Sequence, residues 1–412
     1  MGEQTNSMKA VVFEGACNVN VKEVEKPKIK DSRDAILKIT SAAICGSDLH
    51  MYEGRTTVEE GKIFGHEIMG VIEETGSAIK GLKPGDRVVL PFNIACGMCE
   101  NCVQGLTNAC LYTNPQKPGA AYGYAGMGPY DGGQAQYVRV PFADFNALKL
   151  PGKPYDEFEE DFLLLSDIFP TGYHACELAH VCPGSSVAIY GAGPVGLLTA
   201  HSAFIKGAAQ VYIIDQSETR LKIAQNFGAI PINYRNGTPS EQIKNLRSQN
   251  PLLLGSMRPG EERNLGVTSA IDAVGYQAKN FTSEQEDPTA IINDMVEIVN
   301  YGGHLGIIGV FLSQDPGAPD PDSRQGIFKL PYGKIWDKGL SIGTGQTPVR
   351  RYDWFLRDLI IAGRAKPSLI VSQRSHLERA PEDYRLFDFR GIGEGKEFTK
   401  VVLKPNINHN NK

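Results

Sequence analysis

Between residues 186 and 344, short apolar runs alternate with helical stretches, and the first run opens directly into a glycine-rich turn. That alternation constrains the chain more than any other feature. Parallel strands need a crossover helix packed on the sheet, and the crossover has one hand. Val187–Tyr190 reads as a buried strand, Pro194–Lys206 as a helix, Val211–Ile214 as the next strand and Glu218–Phe227 as a second helix. The intervening turn, Gly191-Ala192-Gly193-Pro194-Val195-Gly196, is a G-x-G-x-x-G. Its glycines suit a tight turn, a close pyrophosphate and close helix–sheet packing, and the helix begun by Pro194 and Val195 points its N-terminus at phosphate. Asp215 ends the second strand, 19 residues after Gly196. A carboxylate there accepts hydrogen bonds from the adenosine ribose and repels a 2′-phosphate, so NAD is the expected cofactor. Arg220 is a candidate for stacking on adenine, with a plain surface arginine as the alternative. Further strands are expected at Ala270–Asp272, Gly306–Val310 and Leu340–Ile342. Residues 236–266, polar and punctuated by Pro239, Pro251 and Pro259, read as an inserted, partly helical excursion.

Residues 8–150 have a different character. Met8–Phe13, Ala35–Ala42, Asp86–Pro91 and Gln136–Val140 read as short strands between Gly/Pro turns, an irregular β-rich domain with long loops. Phe162–Ala179 reads as helical with a break near Pro170, and the tail after about residue 345 is expected to pack back on the first domain. The fold class is therefore α/β: a β-rich domain from 1–165 and 345–412, and a doubly wound, Rossmann-type domain from 166–344. Four of the eight cysteines, Cys96, Cys99, Cys102 and Cys110, fall within 15 residues. Four thiolates at this spacing fit a closed tetrahedral Zn²⁺ site, which braces a loop and performs no chemistry. Iron–sulfur ligation fits the count alone, but nothing else here suggests electron transfer. Clustered free thiols also suit a reducing, cytoplasmic compartment.

Cys45 and His66 are good Zn²⁺ ligands, although a lone Cys and a lone His are more often simply buried. The run Gly65-His66-Glu67-x2-Gly70-x5-Gly76 resembles the zinc-containing medium-chain alcohol dehydrogenase pattern, with Cys45 standing before it as the first ligand does in that family. The four-cysteine loop and the Rossmann unit follow in the family's order. Within the family, Asp131–Ala135, Val140–Asp144 and Leu165–His174 resemble the glutathione-independent formaldehyde dehydrogenases and formaldehyde dismutases. The resemblance implies a GroES-like fold for the first domain and two Zn²⁺ per chain, one catalytic on Cys45, His66 and Asp167 and one structural. It also implies a homotetramer. Read without the family, Asp167 is a helix N-cap candidate. Glu67 is expected at or beside the metal, or else as a buried carboxylate paired with an arginine.

The implied chemistry is NAD-linked oxidation of a small aldehyde hydrate or primary alcohol, with formaldehyde to formate as the leading case. Zn²⁺ polarises the substrate oxygen, while Cys45, His66 and Asp167 would bring −2 against +2. Ser47 and His50 are candidates for a proton relay, since imidazole titrates near neutrality; a surface position at a helix start is the bland reading of His50. Phe92, Tyr122, Tyr124 and Met127 are candidates for the pocket wall. Alternatives are a dismutase that retains NAD, a polyol or threonine dehydrogenase, and a silent NAD-binding scaffold of the crystallin kind. A net charge of −5 without a basic tract argues against nucleic acid, and no apolar stretch approaches the roughly 20 residues of a bilayer span.

Overall fold

The structure, a computed structural model, describes residues 6–261, 264–389 and 398–406. β-Branched and aromatic runs between glycine turns form the strands of the first 150 residues: β1 (Ser7–Gly15), β2 (Asn18–Glu25), β3 (Ala35–Ile44), β4 (Glu67–Thr75), β5 (Arg87–Leu90), β6 (Asn93–Ile94), β7 (Ala120–Ala121), β8 (Tyr137–Val140) and β9 (Leu148–Lys149). The alternating segment supplies β10 (Ser186–Tyr190), β11 (Gln210–Asp215), β12 (Ile230–Asn233), β13 (Val267–Asp272), β14 (Val299–Ile307) and β15 (Ser341–Thr344), and the tail adds β16 (Gln373–His376) and β17 (Val401–Lys404).

Two compact units result, Met1–Pro170 with Thr347–Lys412, and Thr171–Gln346. In the first, a mixed sheet runs β16-β17-β3-β4-β5-β9, with β8 also paired to β3. Its interior is apolar: Ala35, Leu37, Ile39, Ile68, Val88, Leu90 and Tyr122 form one cluster. In the second unit, all strands are parallel in the order β12-β11-β10-β13-β14-β15. Renumbered within the unit this is 3-2-1-4-5-6, the doubly wound order whose reversal point lies beside its first strand, β10. The core of this sheet holds Ala188, Tyr190, Tyr212, Ile214, Ala270 and Leu305, covered by the helix Ala290–Ile298 through Ile291, Met295 and Ile298.

Several expectations need correction. The stretch 236–266 is not wholly an insertion. It begins with the helix Pro239–Ser248, the crossover between β12 and β13. Ile243 from this helix enters the sheet core, and Asp294 accepts the Ser240 N–H at 3.0 Å. The preceding strand β12, Ile-Pro-Ile-Asn, escapes detection because it is short and contains Pro231. That proline is tolerated because β12 is an edge strand. The strand placed at Gly306–Val310 instead spans Val299–Ile307, with Gly302 and Gly303 at a register irregularity against β13. The break in 162–179 falls at Asp167 rather than Pro170; Pro170 sits in the first turn of the helix Ile168–Leu178, where its missing N–H costs no helical bond. No helix among the described residues is long and apolar enough to cross a membrane.

Gly191 has φ +94°, and a Cβ on Gly196 would lie 1.8 Å from the Gly191 carbonyl oxygen. The helix Pro194–Ile205 therefore rests directly on the turn, with no room for a methyl group. Gly196→Ala should push the helix away and lower stability by about 1–3 kcal/mol, the usual range for overpacking. A denaturation midpoint equal to that of the unmodified protein would contradict this packing.

Candidate active site

Strand pairing brings Cys45 and His66 together. β3 and β4 run antiparallel with Ala43 opposite Glu67, so the residue just past the end of β3 meets the residue just before β4. Gly65 makes the entry to β4 possible. Its φ is +102°, and a Cβ there would lie 2.4 Å from the Gln134 side chain. Asp167 arrives from elsewhere in the same unit, after the buried turn Leu164–Ser166. That turn is held by the Ser166 carbonyl accepting the Phe92 N–H at 2.8 Å. The helix before it is anchored by Arg87, which reaches Glu159 at 2.7 Å and both oxygens of Asp156 at 2.8 Å.

The Asp167 Oδ2 lies 3.5 Å from Cys45 Sγ and 3.2 Å from His66 Nε2. With Glu67, these residues can each place one donor atom within 4.8 Å of all the others, and all are buried. Bonds of about 2.0–2.3 Å to a tetrahedral Zn²⁺ would separate donors by roughly 3.3–3.8 Å, so the spacing fits. The electrostatics fit as well. Burial raises the Cys45 thiol pKa, and the Asp167 charge raises it further. Burial disfavours an imidazolium at His66, yet Asp48 and Asp167 lift its pKa well above the ordinary value. Anionic groups thus crowd a point where a cation belongs. On the far side of the ring, Asp48 Oδ1 stands 3.0 Å from His66 Nδ1, the carboxylate–histidine arrangement that presents Nε2 to a metal.

Glu67 is paired, but with a lysine rather than an arginine. Its Oε1 accepts from Lys400 Nζ, and both side chains are fully buried. Lys400 Nζ also donates to the Ile44 carbonyl at 3.0 Å. Burial works against the lysine's charge, but Glu67 and Cys45 outweigh it and raise its pKa. Lys400 lies 333 residues from Glu67, and no local motif marks it.

Ser47 Oγ lies 3.3 Å from His66 Nε2, at the edge of the donor set. His50 is on the same short helix, Gly46–Tyr52, and is buried rather than on the surface. Phe92 and Tyr124 meet the His66 ring edge-on at 6.0 and 6.1 Å between centroids. Tyr122, by contrast, packs into the sheet core, so it does not wall the site. Met127 is buried, its N–H bonded to the Tyr124 carbonyl.

The four-cysteine loop is gathered in the same way, its ligand atoms lying within 4.8 Å of one another. Cys96 and Cys102 sulfurs are 4.0 Å apart, and Cys99 and Cys110 sulfurs 3.9 Å. Backbone N–H groups of Cys96, Met98, Cys99, Leu111 and Tyr112 point at these sulfurs at 3.3–3.5 Å. Such donors favour thiolate over thiol. At Cys99 burial opposes ionisation, but the Leu111 N–H and its neighbours bring the pKa down to about 6. All eight cysteines are free of disulfides.

In the second unit, the Asp215 carboxylate closes the glycine turn. It accepts the Ala192 N–H at 2.7 Å, and those of Gln216 and Ser217 at 2.8 and 2.9 Å. The helix starting at Pro194 has no side chain capping its N-terminus, and a Cβ on Gly193 would meet nothing within 4 Å. Arg220 is half-buried on the helix Glu218–Asn226, and its Nε is a buried donor with no partner among the described residues. Uncapped N–H groups, open space over Gly193 and an orphaned cationic donor are what a dinucleotide phosphate and adenosine require.

Comparison with known proteins bears on the whole chain. Residues 31–152 match the family described as alcohol dehydrogenase GroES-like domain. The chain is 40% identical to a glutathione-independent formaldehyde dehydrogenase of Bacillus subtilis (strain 168) over 95% of its own length and 96% of the relative's. It is 37% identical to a formaldehyde dismutase of Pseudomonas putida, over 92% and 94%. Among solved structures, the alcohol dehydrogenase TADH from Thermus sp. ATN1 superposes with a TM-score of 0.77 at 34% identity, covering 96% of this chain and 99% of that one.

The Glu67–Lys400 pair makes a separable prediction. Lys400→Met leaves a carboxylate buried without its partner and should lower the unfolding free energy of the zinc-loaded protein by about 3–5 kcal/mol. Adding Glu67→Gln should restore most of that loss. Equal denaturation midpoints for Lys400→Met and the unmodified protein would show that the pair carries no such cost.

Proposed function

From the premise that this chain belongs to the zinc-type alcohol dehydrogenase family, we propose that it oxidises formaldehyde, as the hydrate, to formate with NAD and without glutathione. In balance, the hydrate CH2(OH)2 and NAD⁺ become formic acid, NADH and a proton. The reading is carried by one observation: a carboxylate, Asp167, is the third donor converging on Cys45 and His66. The names of the 40% and 37% identical relatives supply the substrate.

We assign Cys45, His66 and Asp167 to a catalytic Zn²⁺, and Cys96, Cys99, Cys102 and Cys110 to a structural one. When bound, the catalytic ion supplies Lewis-acid polarisation of a substrate hydroxyl, and the dinucleotide supplies the hydride acceptor. The rest falls to side chains. Ser47, with its hydroxyl 3.3 Å from His66 Nε2, receives the substrate hydroxyl proton. His50 passes it on, as an imidazole does near neutral pH. Phe92 and Tyr124, edge-on to His66, keep water from the reacting carbon. Glu67, neutralised by Lys400, adjusts the charge beside the donors. In the second unit, Gly191, Gly193, Pro194, Val195 and Gly196 cradle the pyrophosphate, Asp215 takes the ribose hydroxyls and Arg220 lies against adenine. The same reading carries a homotetramer in the cytoplasm. A dismutase that retains its NAD is the second reading, favoured by the likeness to the Pseudomonas putida relative.

Three experiments test this. Metal analysis should find two zincs per chain, falling to one in Cys45→Ala with the fold intact; one zinc in the unmodified protein would remove the catalytic centre. An aldehyde and alcohol panel, run with added and withheld NAD, should show formate production that needs added NAD and no glutathione. Formate and methanol in equal amounts without added NAD would establish the dismutase instead. His50→Ala should lower kcat near pH 7 by about 10- to 100-fold, and an unchanged rate would take His50 out of the relay.

A further inference from the structure

The carboxylate behind His66 is itself held, and the group holding it is a buried amide. Asp48 is fully buried. Its Oδ2 accepts the Cys45 N–H at 3.0 Å and the Gln134 Nε2–H at 3.1 Å. Gln134 is also fully buried, and its Nε2 donates a second bond to the Ala43 carbonyl at 3.1 Å. Its Oε1 accepts from the hydroxyl of Tyr384 at 2.8 Å, a fully buried residue on the helix Ala380–Asp388. Every polar atom of the Gln134 amide thus has a partner. Two acceptors face its nitrogen and one donor faces its oxygen, so the amide has a single favourable orientation. The chain makes room for it at a position where only glycine fits, since a Cβ on Gly65 would lie 2.4 Å from Gln134 Cγ.

The geometry points to Gln134 and Tyr384 as positioning residues for the catalytic metal, acting through Asp48 on the Nδ1 side of His66. Tyr384 sets the orientation of the Gln134 amide. Gln134 then holds Asp48 Oδ2, which leaves Oδ1 beside His66 Nδ1, 3.0 Å away. An imidazole fixed there presents Nε2 toward Cys45 and Asp167. The helix Ala380–Asp388, more than 300 residues from His66 in sequence, is by this route linked to the metal geometry. No contact with substrate or dinucleotide is involved, so neither residue is catalytic. The proposal rests on the reading of Cys45, His66 and Asp167 as a zinc site.

The test uses the zinc-loaded full chain and competition with a chelator, which reads the zinc dissociation constant of each site. Cys45→Ala identifies which of the two zinc classes belongs to the Cys45 site. Gln134→Glu preserves shape but turns the donor toward Asp48 into an acceptor. It should weaken zinc at the Cys45 site about 10- to 100-fold, the range for partners behind metal ligands, and leave the four-cysteine zinc unchanged. Tyr384→Phe removes one oxygen and keeps the ring against Tyr52 and Phe64. It should weaken the same site at least about threefold. A purely structural role would lower thermal stability without this site-selective change. Unaltered zinc affinity at the Cys45 site in Tyr384→Phe overturns the proposal, whether or not Gln134→Glu folds. An unmodified protein that yields one zinc instead of two overturns the metal-site reading and this inference together.

Discussion

The register between β3 and β4 is the constraint on which the rest of the structure depends. With Ala43 opposite Glu67, Cys45 and His66 emerge side by side at one end of the sheet. A slip of one residue would turn every side chain of a strand to the opposite face. Two glycines protect the register. Gly70 lies where a Cβ would be 2.2 Å from the Lys38 carbonyl, and Gly65 lets the chain turn into β4 past Gln134. Around this pair the sheet is apolar, so the strands are specified by burial and the donor atoms by the strand ends. Asp167 needs its own scaffold, and the buried Arg87–Glu159 pair, with Asp156 at its edge, supplies it. The set of donors is thus assembled by two rigid deliveries rather than by a flexible loop.

The burial of charge around that centre follows from its chemistry. Cys45, Asp48, Glu67 and Asp167 are all buried, a group that would be prohibitively unfavourable without compensation. Each has a specific partner. Asp48 accepts from the Cys45 N–H and Gln134, Glu67 faces Lys400, and Cys45, His66 and Asp167 face one another across a space the size of a tetrahedral ion. The four-cysteine loop follows a different logic: its sulfurs are met mainly by backbone N–H groups, with the Thr113 hydroxyl added at Cys110.

What could be read from the sequence divides by distance along the chain. The cysteine spacing and the glycine turn are compact local patterns, and local geometry fulfils them. Gly191 takes the positive φ its place requires, and Asp215 reaches back to the Ala192 N–H. Cys45, His66 and Asp167 were legible only through resemblance, because what joins them is strand register, not spacing. Lys400 and Tyr384 were not legible at all. Each is an ordinary residue type in an ordinary segment, and only tertiary packing brings Lys400 to Glu67 and Tyr384 to Gln134. The edge strand β12 and the crossover helix Pro239–Ser248 were misread for another reason. An edge strand with a proline and a helix with few apolar residues give weak periodicity, and their core contacts, Ile232 and Ile243, have no local signature.

The pairing of β17 with β3 has a consequence for the order of assembly on the ribosome. Lys400 joins Ile44 and Glu67 from 356 and 333 residues further along the chain. At about 5–20 residues per second, roughly 17–67 s of synthesis separates the two ends of that contact. Through that interval β3 is a strand with one neighbour missing and Glu67 a carboxylate without its counter-ion. The nascent chain therefore carries the Cys45 thiol and an unpaired Glu67 in an unfinished sheet. Completion of the donor set is deferred until β17 is made, so the synthesis of β17 is a checkpoint for strands laid down long before it.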